Sequence, residues 1–270
     1  MDSFDHDVGR TNKGGQHEIY MTALRDRFMT LDKAREIAGR EKNASMALWR
    51  LNKQQNLVHV RGGLYAAIPP ERTLADYEIN RFALADRLIK GSGAIAFHSA
   101  LELHGAAYSS FSMVFYLSAR QVRPLKFHDI TYRSVLTSDS FGTTTVRIDD
   151  VLVRVTDKER TFLDCIRRPD LCGGVEEYLK SLDAFVMMDP EKILQYLSRF
   201  NEKSLYHRAG VVLSLLKDSI NVPDRLLDEV RSEVGPSPCY LVPNMRRGGR
   251  LVKEWNVFVP RNLTEMMRVV

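Results

Sequence analysis

Hydrophobic residues recur every three or four positions through the first part of the chain, a spacing typical of amphipathic helices. Three helices are predicted, over residues 17–28, 31–40 and 44–55. Thr30 can cap the second helix and Gly39 can end it, because threonine accepts backbone N–H groups and glycine tolerates a left-handed turn. Ala47, Leu48 and Leu51 give the third helix an apolar inner face.

Two short apolar runs, LVHV and LYAAI, follow the third helix and are joined by Arg61-Gly62-Gly63. Such runs on either side of a glycine turn predict a β-hairpin. Three helices followed by a hairpin give the layout of a winged helix-turn-helix. We therefore predict a winged helix-turn-helix domain over residues 17–70, preceded by a flexible tail over residues 1–16.

The remaining pattern predicts a second, mixed domain. A broad apolar face over residues 71–93 indicates a linker helix, and a further helix is expected near residues 94–107. Runs rich in β-branched and aromatic residues from Met113 to Val155 predict strands, with Asp149-Asp150 as a hairpin turn. Helices and then short strands complete the chain. The fold class is therefore α+β, with a mixed α/β C-terminal domain over residues 94–270.

The segment TDKERTFLDCIRRPDLCGGVEE, which begins at Thr156, concentrates acids, bases and two cysteines. Thr156 and Glu159 have the spacing of a capping box, in which each side chain bonds a backbone N–H of the first helical turn. Phe162 lies on the predicted buried side of this helix, with Cys165 beside it as a small hydrophobic residue. The pattern favours the start of a helix over an active site.

Composition narrows the class of protein. The chain has 270 residues, of which 44% are hydrophobic and 27% charged, as expected for a soluble protein with two domains. No apolar run approaches the roughly 18 residues that span a bilayer. The polar start is unlike a secretory signal, and three cysteines without a CxxC motif indicate a reduced protein without structural zinc. We therefore expect a cytoplasmic protein with no membrane partner.

Positive charge is concentrated in two segments, although the net charge is only +5. The segment from Arg40 to Arg61 holds five basic residues against one acid, and that from Met245 to Arg261 holds another five against one. Each segment therefore carries a charge of about +4, which favours a polyanionic partner. A solvated surface remains the alternative for the second segment, where MRRGGR is predicted to form a basic hairpin tip.

In a winged helix-turn-helix the third helix enters the major groove and the hairpin meets the phosphate backbone. The partner predicted in this way is double-stranded DNA, and side chains on the helix and hairpin supply the contacts. The candidate DNA-binding residues are Arg40, Lys42, Asn43, Ser45, Trp49, Arg50, Lys53, His59, Arg61 and Gly62. A possible second basic contact comprises Arg246, Arg247, Arg250 and Lys253. The alternative is a protein-interaction adaptor that grips its partner through Trp49.

The sequence offers little for catalysis. Neither Cys165 nor Cys172 has a histidine nearby in sequence to act as its base. A metal-dependent nuclease using Asp149, Asp150 and Lys158 is the enzymatic alternative, although Lys158 falls at a helix start instead of on a strand. The common nucleotide, zinc and serine-hydrolase motifs are absent. We therefore predict no enzymatic activity, no catalytic or metal-binding residue and no cofactor.

Histidines near residue 100 raise one further metal hypothesis. His98, Glu102 and His104 are close in sequence, but the spacing of the two histidines places them on different faces of a helix. Capping or core roles are therefore favoured.

Several segments in order resemble the AbiEi-type antitoxins of bacterial and archaeal abortive-infection systems. They are GGLYAAIPPE, AIAFHSALELHG, VTDKERTFLDCIRRPDLCGGVEEYLKSL and KEWNVFVP. The resemblance covers roughly Arg25 to Val259 and is most specific at ERTFLDC and the following Pro169–Gly174.

The resemblance implies a transcriptional repressor that binds inverted repeats in the promoter of its own operon. It also implies an antitoxin role for the C-terminal domain against a nucleotidyltransferase-like toxin. Ser45, Trp49, Arg50, Lys53 and Arg61 match the DNA-binding positions of the family. Relatives often carry paired basic residues where this chain has Trp49-Arg50, a departure that bears on phosphate contact and on base preference. Inverted repeats could be filled by two monomers or by a dimer.

Overall fold

A computed structural model describes residues 7–185, 187–242 and 249–266 of the chain. The chain divides after Asn80 into two compact units. Both units combine helices with small sheets, and the predicted α+β fold class is confirmed.

Over residues 7–80, the first unit has three helices and a three-stranded antiparallel sheet. Its elements are α1 (Asp7–Asp26), β1 (Phe28–Thr30), α2 (Leu31–Ala38), α3 (Glu41–Lys53), β2 (Leu57–Arg61) and β3 (Leu64–Ala67). The strand order is β1-β3-β2, so β3 pairs with both neighbours. Met29, Ala34, Leu48 and Leu51 are buried between the helices and the sheet.

Side-chain and backbone chemistry fixes both ends of α2 as the sequence predicts. Thr30 Oγ1 accepts a hydrogen bond of 3.2 Å from the Lys33 N–H. Gly39 takes the left-handed conformation, with φ of 70°, and its N–H donates to the Arg35 carbonyl oxygen. The resulting turn contains only Gly39 and Arg40 before α3 begins, which sets the angle between the two helices.

Two predicted boundaries near this unit are wrong. Helix α1 begins at Asp7, within the stretch expected to be a tail; extending an existing helix costs little because each added residue gains a hydrogen bond. The predicted linker helix over residues 71–93 reduces to α4 (Arg81–Leu88). Upstream of α4, the Thr73 N–H donates to Asp76 Oδ1 at 2.5 Å, forming a turn in place of a helix.

The second unit begins with α4 and builds a mixed sheet. The next elements are α5 (His98–Leu103), β4 (Met113–Ser118), β5 (Leu125–Phe127), β6 (Ile130–Leu136), β7 (Thr143–Ile148) and β8 (Val151–Thr156). Strand β6 is parallel to β4 and antiparallel to β5, while β7 and β8 form a hairpin. Ile95 bridges Tyr116 of β4 and Val155 of β8, and so connects the two groups of strands.

Helices and a small second sheet complete this unit. They are α6 (Lys158–Arg167), α7 (Val175–Leu182), α8 (Pro190–Phe200), α9 (Lys203–Leu215), α10 (Asp224–Ser232), β9 (Cys239–Tyr240), β10 (Gly249–Val252), β11 (Val257–Pro260) and α11 (Leu263–Met266). Trp255 is buried against Gly210, and its Nε1–H donates to Ser214 Oγ at 3.0 Å. Across the described residues, every helix is too short or too polar to cross a membrane.

The cap of α6 differs from the predicted capping box by one residue. Asp157 is the N-cap and accepts the Arg160 N–H, at 2.9 Å. Thr156 remains in β8, where its backbone N–H donates to the Ile95 carbonyl oxygen. Glu159 accepts the Asp189 N–H at 2.8 Å instead of returning to Thr156. The strand hydrogen bonds hold Thr156, so the next side chain caps the helix.

Candidate nucleic-acid interface

One side of α3 is turned to solvent and carries both cationic and apolar side chains. We call this side the outer face of α3; it consists of Lys42, Ser45, Met46, Trp49 and Lys53. These residues are spaced three or four apart, which places them on one side of a helix. All are exposed, and Trp49 is 60% exposed. Since Ala44, Ala47, Leu48 and Leu51 are buried, the outer face is fixed by the packing of the opposite side.

The positive charge of the outer face is not neutralised by nearby acids. Within the described part of the chain, neither Lys42 nor Lys53 forms an ion pair. Glu41, the one acid between Arg40 and Arg61 in the sequence, instead pairs with Arg35 of α2 at 2.6 Å. Lys53 Nζ lies 5.8 Å from the centre of the Trp49 ring. The face therefore presents two lysines, and the ammonium group of Lys53 lies beside a large exposed aromatic ring.

Two predicted contact residues lie at the edge of this face. Arg50 is half-buried and lines an open groove of about 400 Å³ with residues of α1. The groove is lined by Gln16, His17, Tyr20, Arg50, Leu51, Gln54 and Asn56. Asn43, two turns before Arg50, is half-buried on the same flank. The sequence predicts Arg50 and Trp49 alike as contacts, whereas in the structure Trp49 lies on the outer face and Arg50 on its flank.

The hairpin between β2 and β3 turns at Gly62-Gly63, and His59 organises it. His59 Nε2–H donates to the Gly62 carbonyl oxygen at 2.6 Å, and the imidazole packs against the Tyr65 ring at 5.1 Å. Gly62 is exposed and has a φ of 54°. Arg61 ends β2 and is half-buried. His59 is predicted from the sequence to contact DNA, and in the structure it stabilises the hairpin through these two interactions.

Two hydrogen bonds fix the hairpin relative to α2 and α3. Asn52 Oδ1 accepts the His59 N–H at 3.0 Å, across from the end of α3. The Leu31 N–H donates to the Gly63 carbonyl oxygen at 2.7 Å, at the start of α2. Asn52 could not be predicted from the sequence, since a single polar residue near a helix end gives no signal of its distant partner.

The second basic segment lies in the other unit and is only partly described. Arg246 and Arg247 lie outside the described residues. Arg250 is in β10 and not at a hairpin tip as predicted, because the chain pairs with β11 from Gly249 onward. Lys253 lies in the turn between β10 and β11, and both it and Arg250 are exposed.

A buried polar cluster in the second unit involves His98. Its Nδ1 and Nε2 lie 3.2 Å from Glu102 Oε1 and 3.3 Å from Glu177 Oε1, and its ring stacks on Phe111. Arg81 bonds Glu102, and Ser109 donates to Glu177 twice. Within the described ranges, no group of three or more His, Cys, Asp and Glu side chains is arranged to hold a metal ion. This cluster ties α4, α5 and α7 together.

The three residues of the nuclease alternative do not lie together in the structure. Asp149 and Asp150 form the tip of the β7–β8 hairpin, while Lys158 follows the far end of β8. The separation is roughly 20 Å, since a strand rises about 3.3 Å per residue. His104 is held by the backbone, with Nε2–H donating to the Thr156 carbonyl oxygen at 2.7 Å.

Helix α6 buries two charged residues, Arg160 and Asp164. Arg160 Nε lies 2.9 Å from Asp164 Oδ2, and the Arg160 guanidinium also packs over the Phe141 and Phe200 rings. Burial raises the pKa of Asp164. The sulfur atoms of Cys165 and Cys172 are 3.1 Å apart, and burial raises the pKa of the Cys172 thiol. Buried thiols of this kind react slowly, because the thiolate is the nucleophile.

Comparison with known proteins gives a similar fold. The chain resembles the crystal structure of the RV2827C protein from Mycobacterium tuberculosis, with a TM-score of 0.67, 16% identity and 94% of each chain covered. At this identity the similarity is evidence for the fold alone. No protein-family model matches the chain, and no curated protein is similar to it.

Proposed function

We propose that the first unit is a winged helix-turn-helix domain and that the protein is a sequence-specific DNA-binding transcriptional repressor. The order of elements supports this proposal, because α2 and α3 are joined by a short turn at Gly39-Arg40 and followed by the β2–β3 hairpin. A tight turn containing glycine is common between the two helices of a helix-turn-helix.

The outer face of α3 is the observation that carries the proposal. An α-helix fits the major groove of B-DNA, and exposed side chains on one of its faces can reach the base edges. Lys42 and Lys53, near the two ends of the face, can bind phosphates on either side of the groove. Uncompensated lysines of this kind supply affinity through the release of counterions from DNA.

The hairpin supplies the second contact in this proposal. Gly62 presents an exposed backbone at the turn, and Arg40 and Arg61 add positive charge before α3 and at the end of β2. Backbone N–H groups and arginines both bind phosphates. The hydrogen bond between Asn52 and the His59 N–H holds the hairpin in a fixed position relative to α3. Helix and hairpin would therefore dock together as one rigid surface.

The test is binding to the DNA immediately upstream of the protein's own reading frame. Lys53→Ala should weaken binding more than Arg50→Ala, because Lys53 is on the outer face and Arg50 is on its flank. Lys126→Ala, an exposed substitution in β5 of the other unit, serves as the matched control. Absence of binding to this DNA, or equal binding by all variants, would contradict the proposal.

The same assay separates the alternatives. Magnesium-dependent cleavage of the DNA that Asp150→Ala abolishes would favour a nuclease. Capture of a protein that is lost with Trp49→Ala, without DNA binding, would favour an adaptor.

The proposal extends to an antitoxin role for the second unit, supported by the resemblance of its α6 region to AbiEi-type antitoxins. A nucleotidyltransferase-like reading frame immediately downstream would provide the partner. Full-length protein should then restore growth of cells that express this neighbour, and Lys53→Ala should still do so while losing repression. A neighbour that remains toxic in the presence of the protein would exclude the antitoxin role and leave DNA binding to be judged separately.

A further inference from the structure

We infer that the outer face of α3 reads thymine methyl groups in the major groove, through Trp49 and Met46. The inference rests on the proposed DNA-binding function and adds the chemistry that the site recognises. It makes Trp49 and Met46 specificity-determining residues and leaves affinity to the neighbouring lysines.

The geometry places an apolar patch at the centre of a cationic face. Met46 and Trp49 are three residues apart and are 38% and 60% exposed. Lys42 lies one turn before Met46 and Lys53 one turn after Trp49, so the ammonium groups flank the patch on both sides. A helix docked by its lysines would bring the apolar patch against the floor of the groove.

Base chemistry then selects the ligand. Every base edge offers hydrogen-bond donors or acceptors in the major groove, and thymine is the base that adds a methyl group there. A thioether and the face of an indole ring make poor hydrogen bonds but bury methyl groups well. If Trp49 and Met46 were buried against other base edges, the polar groups of those bases would be left without hydrogen-bond partners.

Charge complementarity favours DNA over a protein as the occupant of this face. Glu41 is held by Arg35, and the two flanking lysines form no ion pair within the described residues. Protein–protein interfaces are depleted in lysine relative to the rest of the protein surface. The lysines and the apolar patch together match a polyanion that also carries methyl groups.

The experiment replaces thymine with uracil, which leaves the hydrogen-bonding groups of the base unchanged. The upstream DNA fragment is amplified once with dTTP and once with dUTP, and the affinity of the full-length protein for each is measured. Uracil lacks only the 5-methyl group, so affinity should fall at least about fourfold, the factor expected for exposing one methyl-sized group.

Variants test which residues discriminate between the thymine and uracil fragments. Trp49→Ala and Met46→Ala should bind the two fragments with nearly equal affinity, because they lack the surface that covers the methyl groups. Lys53→Ala should lose affinity for both fragments by the same factor and keep the discrimination. All three positions are exposed, so the substitutions leave the core of the unit intact.

The possible outcomes test the inference and the proposed DNA-binding function separately. Equal affinity of the wild type for the two fragments overturns the inference and leaves the proposed DNA binding standing. Discrimination that persists in both Trp49→Ala and Met46→Ala also overturns it, because the methyl groups are then read elsewhere. Failure to bind the thymine fragment contradicts the proposed function itself. Discrimination in the wild type that these two variants lose supports the inference.

Discussion

The Nζ atom of Lys53 lies 5.8 Å from the centre of the Trp49 ring, one turn away on the same side of α3. The pair joins the two kinds of chemistry on this face: a cation that can bind phosphate and a ring that can cover a base edge. Because both side chains are exposed, their contact adds little to stability. In the proposed function, the pair acts through what it presents to DNA.

Trp49 provides a direct optical probe of this face. The chain has two tryptophans, and Trp255 is only 1% exposed whereas Trp49 is 60% exposed. Acrylamide should therefore quench mainly Trp49, and bound DNA should protect it. Trp49→Phe should leave emission that is hard to quench with or without DNA. Unchanged quenching of the wild type at saturating DNA would place Trp49 outside the interface.

The side chain of Asn52 should contribute to the stability of the first unit, whereas that of its neighbour Lys53 should not. Asn52→Ala removes the acceptor of the His59 N–H, and the free energy of unfolding of the first unit should fall by about 1 kcal/mol. Lys53→Ala, the adjacent exposed position, should change it by less than about 0.5 kcal/mol. Denaturant titration of both variants measures the difference. Equal stabilities would show that the hairpin does not depend on this bond.

Gly210 is predicted to be essential to the packing of the second unit. A Cβ atom there would lie 2.0 Å from Cε3 of Trp255, so Gly210→Ala must displace a buried ring. We expect a loss of about 2–3 kcal/mol, the cost of overpacking a core. At Gly235 an added Cβ would be 3.6 Å from its nearest neighbour, and Gly235→Ala should be nearly neutral. Thermal unfolding of the two variants tests this, and similar melting temperatures would contradict it.

His104 should make the second unit less stable in mild acid. Burial lowers the pKa of His104 below its ordinary value of 6.5. The unfolded chain therefore binds a proton near pH 6 that the folded chain resists, so stability falls as the pH decreases through this range. His104→Gln retains a donor for the Thr156 carbonyl oxygen and should show a shallower loss of stability between pH 7 and 5. Parallel pH profiles for the two proteins would exclude this role.

Local patterns predicted much of the fold. The bounds of Met113–Ser118, Thr143–Ile148 and Val151–Thr156 follow the sequence runs, because β-branched and aromatic residues and the turn residues between them act over a few positions. Thr30 and Gly39 confirmed the ends of α2 for the same reason. Capping and turn chemistry are local and can be read from the chain.

Features that depend on distant partners were not predictable. The Thr156 cap failed because pairing with Ile95 keeps that residue in a strand. Arg50 was predicted as a contact like Trp49, yet it lines a groove beside α1, and the spacing of α3 alone does not reveal how α1 packs against it. The list of basic residues was therefore easier to predict than their arrangement on one face.

The salt dependence of binding tests the central claim most directly. Affinity for the upstream DNA should be measured between about 50 and 200 mM salt for the wild type, Lys126→Ala and the double variant Lys42→Ala/Lys53→Ala. Each phosphate contact contributes about 0.9 to the slope of log affinity against log salt, so the double variant should lose about 1.8 of that slope. Lys126→Ala should retain the wild-type slope. A double variant with the wild-type slope, or a wild type that does not bind, would contradict the proposal that the outer face of α3 binds DNA.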